Sequence, residues 1–501
     1  MTDTPTRSRL SHEPEPARGP LVVASANPRY FTVAGGDAAG QRAIYLTGSH
    51  LNNNFHDGMG AGASCTGAPE QFDFSAYLDL LRERGHNFIR LWRWEQFRSQ
   101  VGGGSAHFCA MPQPWRRTGP RTANDGRPKF DLAAFDPAYF DRLRQRVLTA
   151  GNAGIYVSVM LFEGFGLHLT PPPDNVAGHP FHAANNVNQV GIASMVEYQV
   201  LPLDPRVQAL QEAYLRKVVD TLHDLPNVLY EVANESSGAS AESVVLPDGS
   251  SIATPIGDST DWQYWVIDFV KQYERQMGYD RHPVGMTFLY PVPEQGTANE
   301  PLFNSPADWI SPGFDDGPLP GEGRWRTDPP PADGSKVVLS DTDHYAPFGT
   351  DALWAWKTFL RGHHPVLYDF GLLDLVRPPA PIPGLPAAAS YEAARYAMGD
   401  TLRFARRIDL MAMRPWGELS STGYVLANPG QEYLVLQPSD TADPFSVTVV
   451  AGVYAAEWFG LTRRQSVTAE PVALERSATT AFRAPLEAAG PAVLYLKKIG
   501  D

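Results

Sequence analysis

The sequence predicts an α/β fold, a (β/α)8 TIM barrel followed by a small all-β sandwich, and three observations carry that expectation. Short β-branched or aliphatic runs alternate with amphipathic helix patterns through most of the chain. From Ser421 the texture changes to short alternating strands separated by turn signals such as Asn428-Pro429-Gly430. With 44 glycines and 45 prolines in 501 residues, the regular elements must be joined by long loops, and loops of this kind carry sites.

Taken in order, residues 1–20 lack apolar periodicity and read as a disordered tail, residues 21–415 as the barrel, and residues 416–501 as the sandwich. Barrel strands are expected at 43–46, 88–92, 155–161, 228–233, 284–289, 337–340 and 366–369. Between them, 74–84, 137–150, 205–225, 261–277, 352–361 and 391–411 place apolar residues at helical three- and four-residue intervals. Such an alternation suits a closed barrel better than an open doubly wound sheet, which would carry a glycine-rich first turn. The eighth strand is expected after Asp374 or near 410–413. Sandwich strands are expected at 423–426, 432–437, 445–450, 454–458 and 492–496.

Composition excludes several function classes. With 41 basic and 55 acidic residues, a net charge of −14 and no lysine-rich run, the chain lacks the clustered cations that bind nucleic acid. No apolar run is long enough to cross a bilayer, so no membrane partner is expected, and the first residues lack a secretory apolar region, so a cytoplasmic location is expected. Cys65 and Cys109 follow neither a CxxC nor a Cys/His pattern and read as ordinary loop residues, with a single loop-bridging disulfide as the alternative. The absence of HExxH, GxSxG and GxxxxGK[ST] leaves no support for metalloprotease, serine-hydrolase or nucleotide chemistry, so no cofactor and no metal are expected. The oligomeric state is not fixed by any of this.

Barrel sites are built where strands end, so the residues just after each strand are the candidates. The run VLYEVANE ends the fourth expected strand in Asn234-Glu235. An amide beside a carboxylate suits a general acid whose neighbour binds a sugar hydroxyl, although the same dipeptide can begin a helix. Asp369, in GHHPVLYDFG at the seventh expected strand, supplies a second carboxylate, with a backbone- or arginine-bound structural aspartate as the alternative. KVVLSDTDHYAP brings His344 and Tyr345 to the end of the sixth expected strand. Asp341 and Asp343 in the same run read as a loose cluster in a solvated or capped turn. Glu163 after the third strand is an alternative acid or a hydroxyl acceptor. His50 and Asn53 in GSHLNNNFHDG, and His179 in GHPFHAANN, are polar groups of the sort that read sugar hydroxyls, while Trp92 and Trp94 offer rings that stack on sugars or fill the rim.

These residues resemble those of the clan A retaining glycoside hydrolases, the group of the family 5 cellulases and mannanases. The likeness spans residues 20 to 415 and rests on Arg90 in FIRLW, the Asn-Glu pair, the histidine and tyrosine, and the acid in PVLYDFG. The tail from Thr422, with GYVLANPGQEYLVLQP, is similar to a collagen-binding-type β domain that follows apiosidase-like barrels. The resemblance implies a two-carboxylate glycosidase acting on a carbohydrate substrate, a plant or microbial oligo- or polysaccharide. Glu235 would be the acid/base and Asp369 the nucleophile, supported by Arg90, Asn234, His344 and Tyr345. Aspartate replaces the usual glutamate nucleophile and is shorter by about 1.3 Å. That would draw the carboxyls from the retaining separation of about 5–5.5 Å toward the inverting range, so the stereochemistry is open. A glycan-binding protein on a hydrolase scaffold and a transglycosylase are the competing readings.

Overall fold

The computed structural model describes residues 15–35, 42–58, 71–100, 107–168, 174–245, 250–314, 324–344, 351–375, 388–440, 443–488 and 490–500. Eight parallel strands form the barrel: β1 (Gly48–His50), β2 (Phe88–Leu91), β3 (Tyr156–Glu163), β4 (Val228–Asn234), β5 (Val284–Thr287), β6 (Trp309–Ser311), β7 (Val337–Asp341) and β8 (His364–Tyr368). From β2 to β8 each strand pairs with the next in chain order, and β8 pairs with β1. The remaining seam is held beside β1 and β2, where Asn87 N donates to Thr47 O at 3.0 Å and Thr47 N donates to Asn87 Oδ1 at 2.9 Å. Strands β3 and β4 are buried at every position, as expected for a parallel sheet covered on both faces.

The helices begin where the sequence supplies caps. Asp73, Asp136, Asp204 and Asp351 each accept a backbone N–H at the start of α1 (Phe74–Arg84), α2 (Pro137–Asn152), α3 (Pro205–Leu222) and α5 (Ala352–Leu360). In α2 and α3 a proline follows the cap at once, where its missing N–H costs nothing. The ring also includes α4 (Thr260–Met277) and α6 (Glu392–Ala405).

Two corrections concern the strands. The missing strand is β6, three residues in SPADWISPG, too short and too closely framed by prolines to show a period. It lies neither after Asp374 nor near 410–413, and its insertion renumbers the later strands: VVLSD is the seventh and HPVLY the eighth. The run 43–46 is not the first barrel strand. Ile44 N instead bonds Phe31 O at 2.7 Å, Leu46 is buried in the barrel floor, and parallel pairing starts at Gly48.

The floor is apolar. Leu46, Phe88, Tyr156, Leu229, Trp309, Val337 and Val366 pack together beneath a hairpin of Leu21–Val23 and Phe31–Val33. Gly285 makes room for Trp309, whose ring would lie 1.9 Å from a Cβ at that position. Ala17 belongs to the same cluster and donates to Gly151 O at 2.8 Å, so packing begins inside the stretch expected to be a tail.

The C-terminal region comprises β9 (Arg414–Pro415), β10 (Val425–Asn428), β11 (Glu432–Gln437), β12 (Phe445–Val449), β13 (Gly452–Gly460), β14 (Gln465–Leu474), β15 (Ala478–Phe482) and β16 (Ala492–Gly500). Six form an antiparallel sheet in the order β9-β10-β11-β16-β13-β14, and β12 pairs with β15. The half-exposed β14 and β15 had no apolar alternation strong enough to be foreseen. One face of the large sheet docks on the barrel helices, with Phe459 lying 5.7 Å from Trp356 of α5 and 5.4 Å from Phe404 of α6, ring centre to ring centre.

Candidate active site

The strand ends place one cation among four acceptors. Arg90 in β2 is buried, and it donates through Nε and Nη2 to the two oxygens of Glu231 at 3.0 and 2.6 Å. Its Nη2 also reaches Asn234 Oδ1 at 2.8 Å, and its Nη1 reaches Asp341 Oδ2 at 2.9 Å and Asp343 Oδ2 at 3.1 Å. Asp341 ends β7 and takes a further contact from His50 Nε2 at 2.7 Å, so β1, β2, β4 and β7 are joined in one polar network. Burial alone would raise the Asp341 carboxyl, but contact with His50 and Arg90 outweighs it and holds the group well below the usual range.

Glu235 follows β4 with φ of +43°, a left-handed conformation that costs a non-glycine residue about 1–3 kcal/mol. Its carbonyl is fixed by His168 Nε2 at 2.8 Å. Gly164 permits the close approach on the other side, because a Cβ there would meet Ser236 Cα at 2.4 Å. The Glu235 side chain is half-buried, and one of its oxygens, one Asp343 oxygen and one His344 nitrogen lie within 4.8 Å of one another. Burial, then the neighbouring charges of Asp343 and Glu163, push the Glu235 carboxyl well above its ordinary value. Burial also pushes Asp343 up, to about 6, with Arg90 opposing the shift.

His344 Nδ1 lies 3.0 Å from Ser311 Oγ at the end of β6, whereas Nε2 is buried without a hydrogen-bond partner, 3.9 Å from Asp343 Oδ2. Burial and Arg90 lower this imidazole to about 3, so it is neutral. Tyr368, ending β8, stands with its ring 5.3 Å from His50 and 5.9 Å from Trp92. Burial and the charges of Asp343 and Glu235 keep its hydroxyl protonated.

Asp369 is the main correction. It follows β8 rather than β7, and Arg395 of α6 grips both its oxygens, Nε to Oδ2 at 2.6 Å and Nη2 to Oδ1 at 2.7 Å. Gly371 N adds a bond to Oδ1 at 2.9 Å, and Arg395 continues to Glu392, which pairs with Arg84 of α1. This is the arginine-bound structural arrangement. Asp341 and Asp343 do form a capped turn, Asp341 Oδ1 accepting from Asp343 N at 3.0 Å, but not a solvated one, since both are buried against Arg90.

The other candidates divide. Trp92 lies under the Arg90 guanidinium at 5.1 Å and beside His50, while Trp94 packs 5.8 Å from it and donates Nε1 to Asn52 O. Asn53 is buried with both ends of its amide unpartnered. Glu163 is fully buried, raised by that burial, with Oε2 accepting from Gly166 N at 2.7 Å. His179 does not face this cluster: its Nε2 contacts Glu95 Oε2 at 3.1 Å and its Nδ1 accepts from Phe181 N, which ties down the third loop. Tyr345 lies outside the described residues. The cysteine expectation is corrected, because Cys109 is disulfide-bonded and the chain's other cysteine, Cys65, lies outside the described residues. Cys109 N bonds Gly58 O at 3.0 Å, where the loops after β1 and β2 meet. Among the described residues, no helix is long and apolar enough to cross a membrane.

Sequence reasoning missed Glu231, Asp343, Ser311 and Tyr368 as members of the site. Recognising β6 would have found Asp343, since it makes DTDH the end of a seventh strand.

Comparison with solved structures agrees with this architecture. One described as a glycoside hydrolase superposes with a TM-score of 0.58 at 12% identity, covering 96% of this chain and 97% of its own. A family 5 glycoside hydrolase from Bacteroides vulgatus gives 0.54 at 14% identity, covering 96% and 94%. At such identities the likeness establishes the fold. No family model matches the sequence, and no curated protein does.

Proposed function

We propose that the protein is a glycoside hydrolase that cleaves O-glycosidic bonds with retention of configuration, using Glu235 as acid/base and Asp343 as nucleophile. One observation carries this reading: carboxylates from the ends of β4 and β7 stand with oxygens within 4.8 Å, near the retaining separation and short of the inverting one of about 6.5–9.5 Å. Their environments suit different roles. Glu235, raised well above its ordinary value by burial and the neighbouring charges, holds the proton that it delivers to the glycosidic oxygen. Asp343, beside Arg90, is ionised at pH 7 and attacks the anomeric carbon, forming a glycosyl ester as the alcohol departs. Glu235, now a carboxylate, takes a proton from water; that water attacks the same carbon, releases the sugar and restores Asp343.

Asn234 is positioned by Arg90 to offer its amide to a sugar hydroxyl, and His344 Nε2, unpartnered beside Asp343, is a further group for one. The buried polar lining and the tryptophan at the base support a neutral or mildly polar glycan as substrate. The disulfide at Cys109 supports work in an oxidising compartment rather than the cytoplasmic setting expected from the sequence, because such bonds persist where thiols are not kept reduced.

The test is hydrolysis of a panel of aryl furanosides and pyranosides by wild type, Glu235→Gln and Asp343→Asn, with proton NMR of the first-formed anomer. Retained product and loss of activity in both variants are expected. Inverted product would make Asp343 a base for water instead.

A further inference from the structure

Three protein atoms at the mouth of the barrel have the makings of a cation site as well as a proton-transfer site. His344 is 1% exposed, yet its Nε2 has no hydrogen-bond partner. Its other nitrogen, Nδ1, lies 3.0 Å from Ser311 Oγ, and with the proton on Nδ1 donated to that hydroxyl, Nε2 presents a lone pair. That lone pair is aimed at the carboxylates of Asp343 and Glu235, and this pattern, an imidazole oriented through its far nitrogen, is how proteins prepare a histidine for a metal.

The spacing fits. Zinc-class ions bind nitrogen and oxygen ligands at about 2.0–2.2 Å, so two ligands lie up to roughly 4 Å apart. His344 Nε2 and Asp343 Oδ2 are 3.9 Å apart, and Glu235 completes a triangle within 4.8 Å. Charge points the same way. Glu231, Asp341, Asp343 and Glu235 surround the single guanidinium of Arg90, and the bonds from Arg90 leave Glu235 unanswered. The ligand set of one imidazole and two carboxylates selects a borderline transition-metal dication over calcium or magnesium, which require six or more oxygens or retained water.

We propose that Glu235, Asp343 and His344 bind one divalent transition-metal cation of the zinc class, in competition with the glycan. The competition rests on the hydrolase reading above. The occupied form is catalytically silent, since both carboxylates of the hydrolytic pair are then ligands and neither can transfer a proton or attack carbon.

The experiment uses the full chain, stripped with a chelator, dialysed, and titrated with zinc chloride by calorimetry, with cobalt(II) absorption as a second probe of ligation. One saturable site is expected, weakened at least tenfold in both Glu235→Gln and His344→Gln, while His223→Gln, a change to an imidazole stacked on Tyr279 elsewhere, leaves affinity unchanged. Glu235 is half-buried, so its variant tests the site without disturbing the core if His344→Gln fails to fold. No saturable binding, or equal affinity in both site variants and wild type, overturns the proposal. Since binding is read directly, the outcome does not depend on whether any glycoside is hydrolysed.

Discussion

Two arginine–carboxylate clusters sit at strand ends of the same barrel and differ in how far the cation is shared. At β8, Arg395 places two nitrogens on the two oxygens of Asp369, and that carboxylate is satisfied. Between β4 and β7, Arg90 divides its donors among Glu231, Asp341, Asp343 and Asn234, and Glu235 receives none of them. A closed pair stabilises a fold but has nothing left for a substrate. A shared cation leaves Glu235 without a donor from Arg90, raised, partly exposed and able to exchange protons, which is the condition for acid–base chemistry. The position of an acid at a strand end therefore says less about its role than the count of donors already committed to it.

The sharpest way to break the comparison is to neutralise one acid in each cluster. Glu235→Gln and Asp343→Asn should each lower kcat/KM by about a thousandfold or more with the fold intact by circular dichroism. Asp369→Asn should leave kcat per folded molecule within a few-fold of wild type while lowering stability by about 3 kcal/mol in denaturant titration, because it leaves the buried Arg395 guanidinium with only the half-buried Glu392 as a carboxylate partner. If Asp369→Asn abolished turnover without unfolding, the roles of the two clusters would be exchanged.

A smaller effect should come from a buried group that is satisfied only in one protonation state. His364 Nδ1 accepts from Leu46 N at 2.9 Å and its Nε2 lies 3.1 Å from Arg29 O, so the folded imidazole is neutral, and burial lowers it from 6.5 to about 4. The unfolded chain then binds more protons between these values, so the stabilisation is complete above about pH 6.5 and is lost as pH falls toward 4, by roughly 3 kcal/mol. His364→Gln should flatten that part of the curve of Tm against pH, and an unchanged slope would assign the acid sensitivity to another group. The smallest change should follow Arg144→Ala. Arg144 and Asp224 are paired at 2.7 Å but 41% and 49% exposed, and such surface pairs contribute less than about 1 kcal/mol. A larger loss there would mean that geometry, not burial, sets the strength of these clusters.

Much of the scaffold could be read locally. The helical periods of α1, α2, α3 and α5 and the apolar runs of β3 and β4 are short-range patterns, and those elements appear where they were expected. The sixth strand could not be, because three residues between prolines have no period, and its pairing is supplied by β5 and β7 on either side. Without it the strand count falls short by one, and Asp369 takes the place that Asp343 holds in the barrel.

Sequence by itself determined the (β/α)8 class, the sandwich after it, and Asn234-Glu235 at a strand end, since each depends on residue type and spacing within a few turns of chain. Only the tertiary structure decided which aspartate stands opposite Glu235 and which is locked to an arginine. Arg90 and Asp343 are far apart in the chain, as are Asp369 and the residues flanking β1, and whether a carboxylate meets a whole guanidinium or a share of one is settled by the closure of the barrel around them.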